Sequence, residues 1–182
     1  MPSYKDDKIF CTIVDMVITS EGGYSDRPSD SGGPTMWGIA WNYNRQALEK
    51  KGYTRFTMAK LSREDAVQIY YEKYYLGSGA KGLTDEGLAY IHFDCAVNQG
   101  IGFAQKVLGS LSKNPFWFDG TGNKNSQIFL PLYLEYIVKR IDRYTELKKS
   151  LRTEYLTGWM NRIEHVFYGV SKIEKLGFTE NI

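Results

Sequence analysis

Cysteine and histidine are scarce, with two of each in 182 residues. Cys11 and Cys95 are too few for a disulfide framework or a cysteine zinc site. Each lies in an apolar stretch where a thiol serves as a small hydrophobe, so both are expected reduced and in the core. His92 and His165 have no His-Glu-x-x-His or Cys-rich partner pattern, which argues against a metal site. An excess of one charge is also missing. Lys and Arg total 23 against 21 Asp and Glu, a net charge of +2, too little to hold nucleic acid by bulk electrostatics. No stretch approaches the roughly 20 apolar residues of a membrane-spanning helix, so membrane insertion is not expected. The first twenty residues lack a signal-peptide pattern because Asp6, Asp7 and Asp15 interrupt them. The expectation is synthesis in the cytoplasm, with any target outside it reached through another factor.

Apolar residues make up 42% of the chain and aromatics 15%, enough for a packed core in one domain or one domain with a divided core. Internal repeats and low-complexity tracts are missing. Apolar positions recur at Ile9, Phe10, Ile13, Val14 and Val17, the rhythm of a helix with one buried face over Lys8–Thr19, which Gly22 and Gly23 stop. Gly22 to Gly38 holds five glycines and two prolines, which reads as turns and a small hairpin. Helical patterning returns at 44–50. It continues from the Ser62 cap through Ala66, Ile69, Tyr70 and Tyr74, then at 85–100, 103–111 and 126–149. The basic residues Lys139, Arg140, Arg143, Lys148, Lys149 and Arg152 read as a solvated helix face. The fold class is therefore mainly α, with a small β-hairpin or loop region after the first helix.

The segment Glu21-Gly22-Gly23-Tyr24-Ser25-Asp26-Arg27-Pro28-Ser29-Asp30-Ser31-Gly32-Gly33-Pro34-Thr35-Met36-Trp37-Gly38-Ile39 carries the chemistry. A carboxylate closing an apolar helix can project into a low-dielectric cleft that raises its pKa, as a general acid requires. A turn-back of the loop brings Asp30 and Thr35 toward the same pocket. One protonated and one ionised carboxylate is the usual equipment for cleaving a glycosidic bond. The bland reading is a surface glutamate followed by ordinary turns. Asp26 competes with Asp30, being only four residues away. Tyr24, Trp37, Trp41 and Tyr43, with Asn98 and Gln99, are candidate sugar-lining residues, since aromatic faces and amides recognise sugars. Core packing is the alternative for each of the aromatics, and a cap or turn for Asn98.

Glu21-Gly22-Gly23-Tyr24, the Pro28 to Thr35 block with Trp37-Gly38-Ile39, and Phe93-Asp94-Cys95-Ala96-Val97-Asn98-Gln99-Gly100 stand in the order of a known family. On these blocks, with Ala66 to Tyr75 and Gly158 to Arg162, the chain resembles the glycoside hydrolase 108 muramidases, which include phage endolysins. The resemblance implies an α+β lysozyme-like fold: a helical, two-lobed single domain with a catalytic region over 1–92. A helical lobe over 93–182, with Asp119-Gly120 and Trp159, would resemble the family's peptidoglycan-binding region. It implies cleavage of the β-1,4 bond between N-acetylmuramic acid and N-acetylglucosamine, without a cofactor. Peptidoglycan glycan strands would be the partner, and a holin the route to the wall if a phage encodes the chain. Glu21 maps onto the family's proposed catalytic glutamate. The Glu21, Asp30 and Thr35 arrangement also resembles that of phage-type lysozymes, where the Asp-to-Thr step is commonly one residue longer. The rival outcomes are a lytic transglycosylase and a non-catalytic wall-binding or virion-structural module.

Overall fold

The computed structural model describes residues 3–19, 23–27, 30–111, 126–148 and 156–175. The chain divides into two compact units, Met1–Lys73 and Tyr74–Ile182.

The first unit opens with a short 3-10 turn, Tyr4–Asp6, and helix α1, Lys8–Thr19. The Asp7 carboxylate starts α1 by accepting from the Phe10 amide at 3.1 Å, which satisfies one of the free N–H groups of the first turn. Phe10, Ile13, Val14, Val17 and Ile18 are buried, and the Phe10 ring meets Tyr71 edge-on at 4.9 Å. Burial of such side chains contributes roughly 1.5–3 kcal/mol each. Cys11 departs from the sequence expectation. It is exposed, and its thiol donates to the Tyr4 carbonyl at 3.4 Å. The buried stripe at 10, 13, 14 and 17 turns position 11 outward.

Strands β1, Thr35–Met36, and β2, Ile39–Ala40, pair antiparallel with Thr35 opposite Ala40. Helix α2, Trp41–Lys50, follows directly and starts three residues before the sequence rhythm suggests. A 3-10 segment, Arg55–Lys60, leads to α3, Arg63–Ile69. The Ser62 hydroxyl caps α3 as expected, accepting from the Asp65 amide at 3.1 Å. From Tyr70 to Leu76 the helix continues in π turns.

In the second unit, α4, Glu86–Gln99, is buried on all sides from Gly87 to Ala96, as expected of a helix that others enclose. Asp85 caps it by accepting from the Leu88 amide at 2.7 Å. Gly100, at φ +94°, separates it from α5, Ile101–Leu111. Helices α6, Ser126–Lys148, and α7, Leu156–Glu174, pack on α4 and on each other. Leu88, Ile91, Cys95, Ile137 and Tyr144 are buried as their spacing suggests. His92 is buried too, set between the Tyr136 hydroxyl at 2.8 Å and the Ser78 carbonyl at 3.0 Å. Because that carbonyl only accepts, Nε2 carries the proton. Burial pushes the imidazole pKa down, so the ring stays neutral. No helix among the described residues is long and apolar enough to cross a membrane.

The basic residues of α6 are not one solvated face. Arg140 is fully buried and bonds the fully buried Asp94 at 2.6 Å. Arg162 of α7 donates to the other Asp94 oxygen through Nε at 2.8 Å and through Nη2. Burial alone would raise the Asp94 carboxyl, but the two guanidiniums outweigh it and hold the group below the usual carboxylate range.

Candidate active site

The first unit places Tyr24, Asp26, Asp30, Thr35 and Trp37 on one short loop and hairpin, with Trp41 and Tyr43 at the start of α2. Ser25 forms an isolated antiparallel bridge with Thr35, with the Ser25 amide donating at 2.9 Å and the Thr35 amide returning at 2.8 Å. Residues Ser25, Thr35 and Ala40 therefore stand side by side on three adjacent chain segments. Tyr24 and Asp26 flank the bridge and are exposed, Tyr24 at 48%.

Asp30 heads a tight turn. Its Oδ1 accepts from the Gly32 amide at 2.8 Å, and its carbonyl accepts from the Gly33 amide at 3.1 Å. This is an Asx turn, in which a short carboxylate mimics a backbone acceptor. Gly33 adopts φ +69° with the Asn42 side chain 3.3 Å from where a Cβ would stand, so this position favours glycine on both counts. Thr35 donates its hydroxyl to the Gly33 carbonyl at 3.0 Å. The hydroxyl oxygen then offers lone pairs to an incoming donor. Asp30 and Thr35 are thus both tied to the Asp30–Gly33 turn. Asn42 braces this turn by donating to the Ser31 carbonyl at 2.8 Å, and the Tyr43 hydroxyl meets the Ser31 hydroxyl at 2.8 Å.

The aromatic candidates separate by role. Tyr43 is exposed at 61% and Tyr24 is also open to solvent, whereas Trp41 is buried. Trp37 is half-buried and occupies the two-residue turn with Gly38, both at positive φ, +54° and +75°. These signs belong to a type I′ hairpin turn, where Asn-Gly is the usual pair and a bulky first residue is an outlier. The Trp37 indole donates to the Leu61 carbonyl at 3.0 Å, and its own carbonyl accepts from the Tyr70 hydroxyl at 2.9 Å. Sequence reasoning missed Tyr70, which it placed only on a buried stripe, and Lys73. The Lys73 ammonium donates to the Tyr43 carbonyl and to Asn44 Oδ1 at 2.9 Å. Burial pushes the Lys73 pKa down.

A cavity of about 1100 Å³ in the first unit is bordered by Tyr4, Asn42, Tyr43, Lys51, Glu64 and Lys73; Asp30 and Thr35 do not line it. Glu21 lies outside the described residues.

Asn98 and Gln99 belong to the second unit, at the end of α4. Gln99 donates to the Arg140 carbonyl at 3.1 Å and accepts from Arg140 Nε at 3.1 Å. Asn98, turned with its amide oxygen toward Arg162, accepts from Nε at 3.0 Å and Nη2 at 2.7 Å. These amides brace the Asp94 cluster. Trp159 stacks on Tyr144 at 4.9 Å in the same unit, while Asp119 and Gly120 lie outside the described residues. No group of three or more metal-ligating side chains occurs among the described residues.

The described residues are mainly helical, with a short antiparallel hairpin after the first helix. Residues 14–100, from within α1 to just past the end of α4, match the family model described as Glycosyl hydrolase 108. The structure of Brucella abortus SagA is similar in fold, with a TM-score of 0.67 and 24% sequence identity. That likeness covers 92% of this chain and 97% of SagA. No curated protein sequence matches the chain.

Proposed function

We propose that the chain is a peptidoglycan hydrolase of the muramidase type, cleaving the β-1,4 bond between N-acetylmuramic acid and N-acetylglucosamine. The supporting observation is the glycosyl hydrolase 108 match over 14–100, which contains the whole glycine-rich loop and its Asp30–Gly33 turn. In the reaction, Glu21 donates its proton to the departing glycosidic oxygen as the sugar gains oxocarbenium character. Asp30, kept in place by the Gly32 amide, stabilises that charge or orients the attacking water. Thr35 accepts a hydrogen bond from the same water, because its own proton is committed to Gly33. The exposed rings of Tyr24 and Tyr43 supply faces for the apolar side of the sugar. Trp41 and Gln99 act mainly through packing and bracing. The setting is cell-wall lysis, with the protein acting on glycan strands after release from the cytoplasm.

The test is product analysis by mass spectrometry of purified peptidoglycan, run beside a Glu21→Gln variant. Reducing muramic ends with the native protein, and none with a folded variant, support the proposal. Anhydromuramic ends instead identify a transglycosylase, and wall binding without cleavage identifies a binder. Normal cleavage by Glu21→Gln would remove Glu21 from the mechanism and direct attention to Asp26 and Asp30.

A further inference from the structure

The helix that begins at Arg63 changes pitch at Tyr70 and runs on in π turns. Such turns recur at functional sites because they shift the register of side chains along a helix. Here two side chains from the first turn of that segment reach the catalytic loop. Tyr70, fully buried, donates to the Trp37 carbonyl at the hairpin tip, and Lys73 donates to the Tyr43 carbonyl and the Asn44 side chain at the start of α2. The anchors bracket residues 37–44, the stretch that carries β2 and supplies Asn42 and Tyr43 to the Asp30 turn. One anchor falls on Trp37, whose positive φ a bulky residue keeps only where its surroundings over-determine it. The Leu61 carbonyl, taking the indole proton at 3.0 Å, fixes the other end of that residue.

We infer that Tyr70 and Lys73 are positioning residues for glycan cleavage, clamping the hairpin and the start of α2 so that Thr35 and the Asp30 turn keep one geometry. This deepens the hydrolase reading and rests on it. A clamp of this kind acts on the chemical step, since small misplacements of a reacting group cost up to about a hundredfold in rate. It leaves substrate affinity nearly unchanged, because neither side chain needs to meet the glycan.

The experiment uses the full chain and Tyr70→Phe, which removes one hydroxyl. Steady-state kinetics on solubilised glycan strands are paired with proton–nitrogen spectra of the tryptophan indoles, the Trp37 signal being assigned with Trp37→Phe. The expected result is a fall in kcat of about tenfold or more with KM within twofold. The Trp37 indole signal should also move and exchange faster with solvent. Lys73→Met should lower kcat in the same way without altering KM. An unshifted Trp37 indole in Tyr70→Phe, or a loss confined to KM, overturns the clamp. If Tyr70→Phe does not fold, the double variant with Trp37→Gly is measured, since glycine adopts that backbone angle freely. Recovered folding then supports the clamp and continued failure overturns it. The indole spectra need no substrate, so a native protein that cleaves nothing defeats the hydrolase reading while the spectra still decide the clamp.

Discussion

Replacing Asp94 with Asn should be the most destabilising single isosteric change in the second unit. The carboxylate is fully buried and bonded by Arg140, also fully buried, and by Arg162 at 9% side-chain exposure. The native cluster already carries one excess positive charge, and Arg140 Nη1 has no hydrogen-bond partner. Losing the one anion leaves two guanidiniums out of water without compensation, a situation that costs about 3–5 kcal/mol. In a chain of this length each kcal/mol moves Tm by about 2–4 °C, so the shift should be roughly 6–20 °C. Thermal and urea unfolding followed by circular dichroism measure it. The pH dependence has a definite sign. The folded-state pKa of Asp94 is depressed, so its contribution is present above the ordinary carboxylate pKa and disappears as pH falls through the folded value. The variant should therefore lose less stability on acidification than the native chain. Adding Arg162→Met to Asp94→Asn should restore part of the loss, because it removes one of the stranded charges. A loss below about 1 kcal/mol, or a double variant no better than the single one, would refute the reasoning.

Glu174, near the end of α7, behaves in the opposite sense. Burial first, and then the neighbouring Asp85 carboxylate, raise its pKa above 4.5, and Tyr133 donates to both carboxylates, at 2.6 Å to Asp85 and 3.0 Å to Glu174. A raised folded-state pKa gives stability that is complete below the unfolded value and lost as pH rises through the folded one. Glu174→Gln should match or exceed the native Tm at neutral pH and flatten the decline of Tm from about pH 4.5 upward; a parallel decline in both proteins would sink this assignment. At Gly33, alanine must take φ +69° and meet Asn42. Gly33→Ala should cost roughly 1–2 kcal/mol from the backbone alone and lower wall cleavage along with Tm. Unchanged activity would show that the Asp30 turn is not needed for the chemistry.

The helices were readable because burial leaves a periodic imprint: the stripe of α1, the Ser62 cap and the apolar positions of α4 all follow from neighbours within one or two turns. Features that depend on distant partners left none. Arg140 sits among other basic residues and looks like surface charge until Asp94, 46 positions earlier, is placed against it. Cys11 looks apolar by its neighbours, yet the phase of the helix turns it outward. Trp37 presented an aromatic in a glycine-rich loop, and only the contacts from Leu61 and Tyr70 reveal its left-handed backbone. The π segment has no signature in hydrophobic spacing, so the reach of Lys73 toward Tyr43 was invisible. For the site itself, residue types were legible and their ties were not: the Asp30 turn and the Thr35 bridge are made largely by main-chain groups that every sequence possesses.

That last property bears on how such a loop changes over evolution. The pair of backbone hydrogen bonds between Ser25 and Thr35 pins the base of the loop whatever side chains lie between. Lengthening a flexible loop costs only (3/2)RT times the logarithm of the length ratio, so one extra residue in this eleven-residue span adds less than about 0.1 kcal/mol. An insertion outside the hydrogen-bonded Asp30–Gly33 turn therefore adds little closure cost, whereas one inside it would break the contacts that tie Asp30 and Thr35 together.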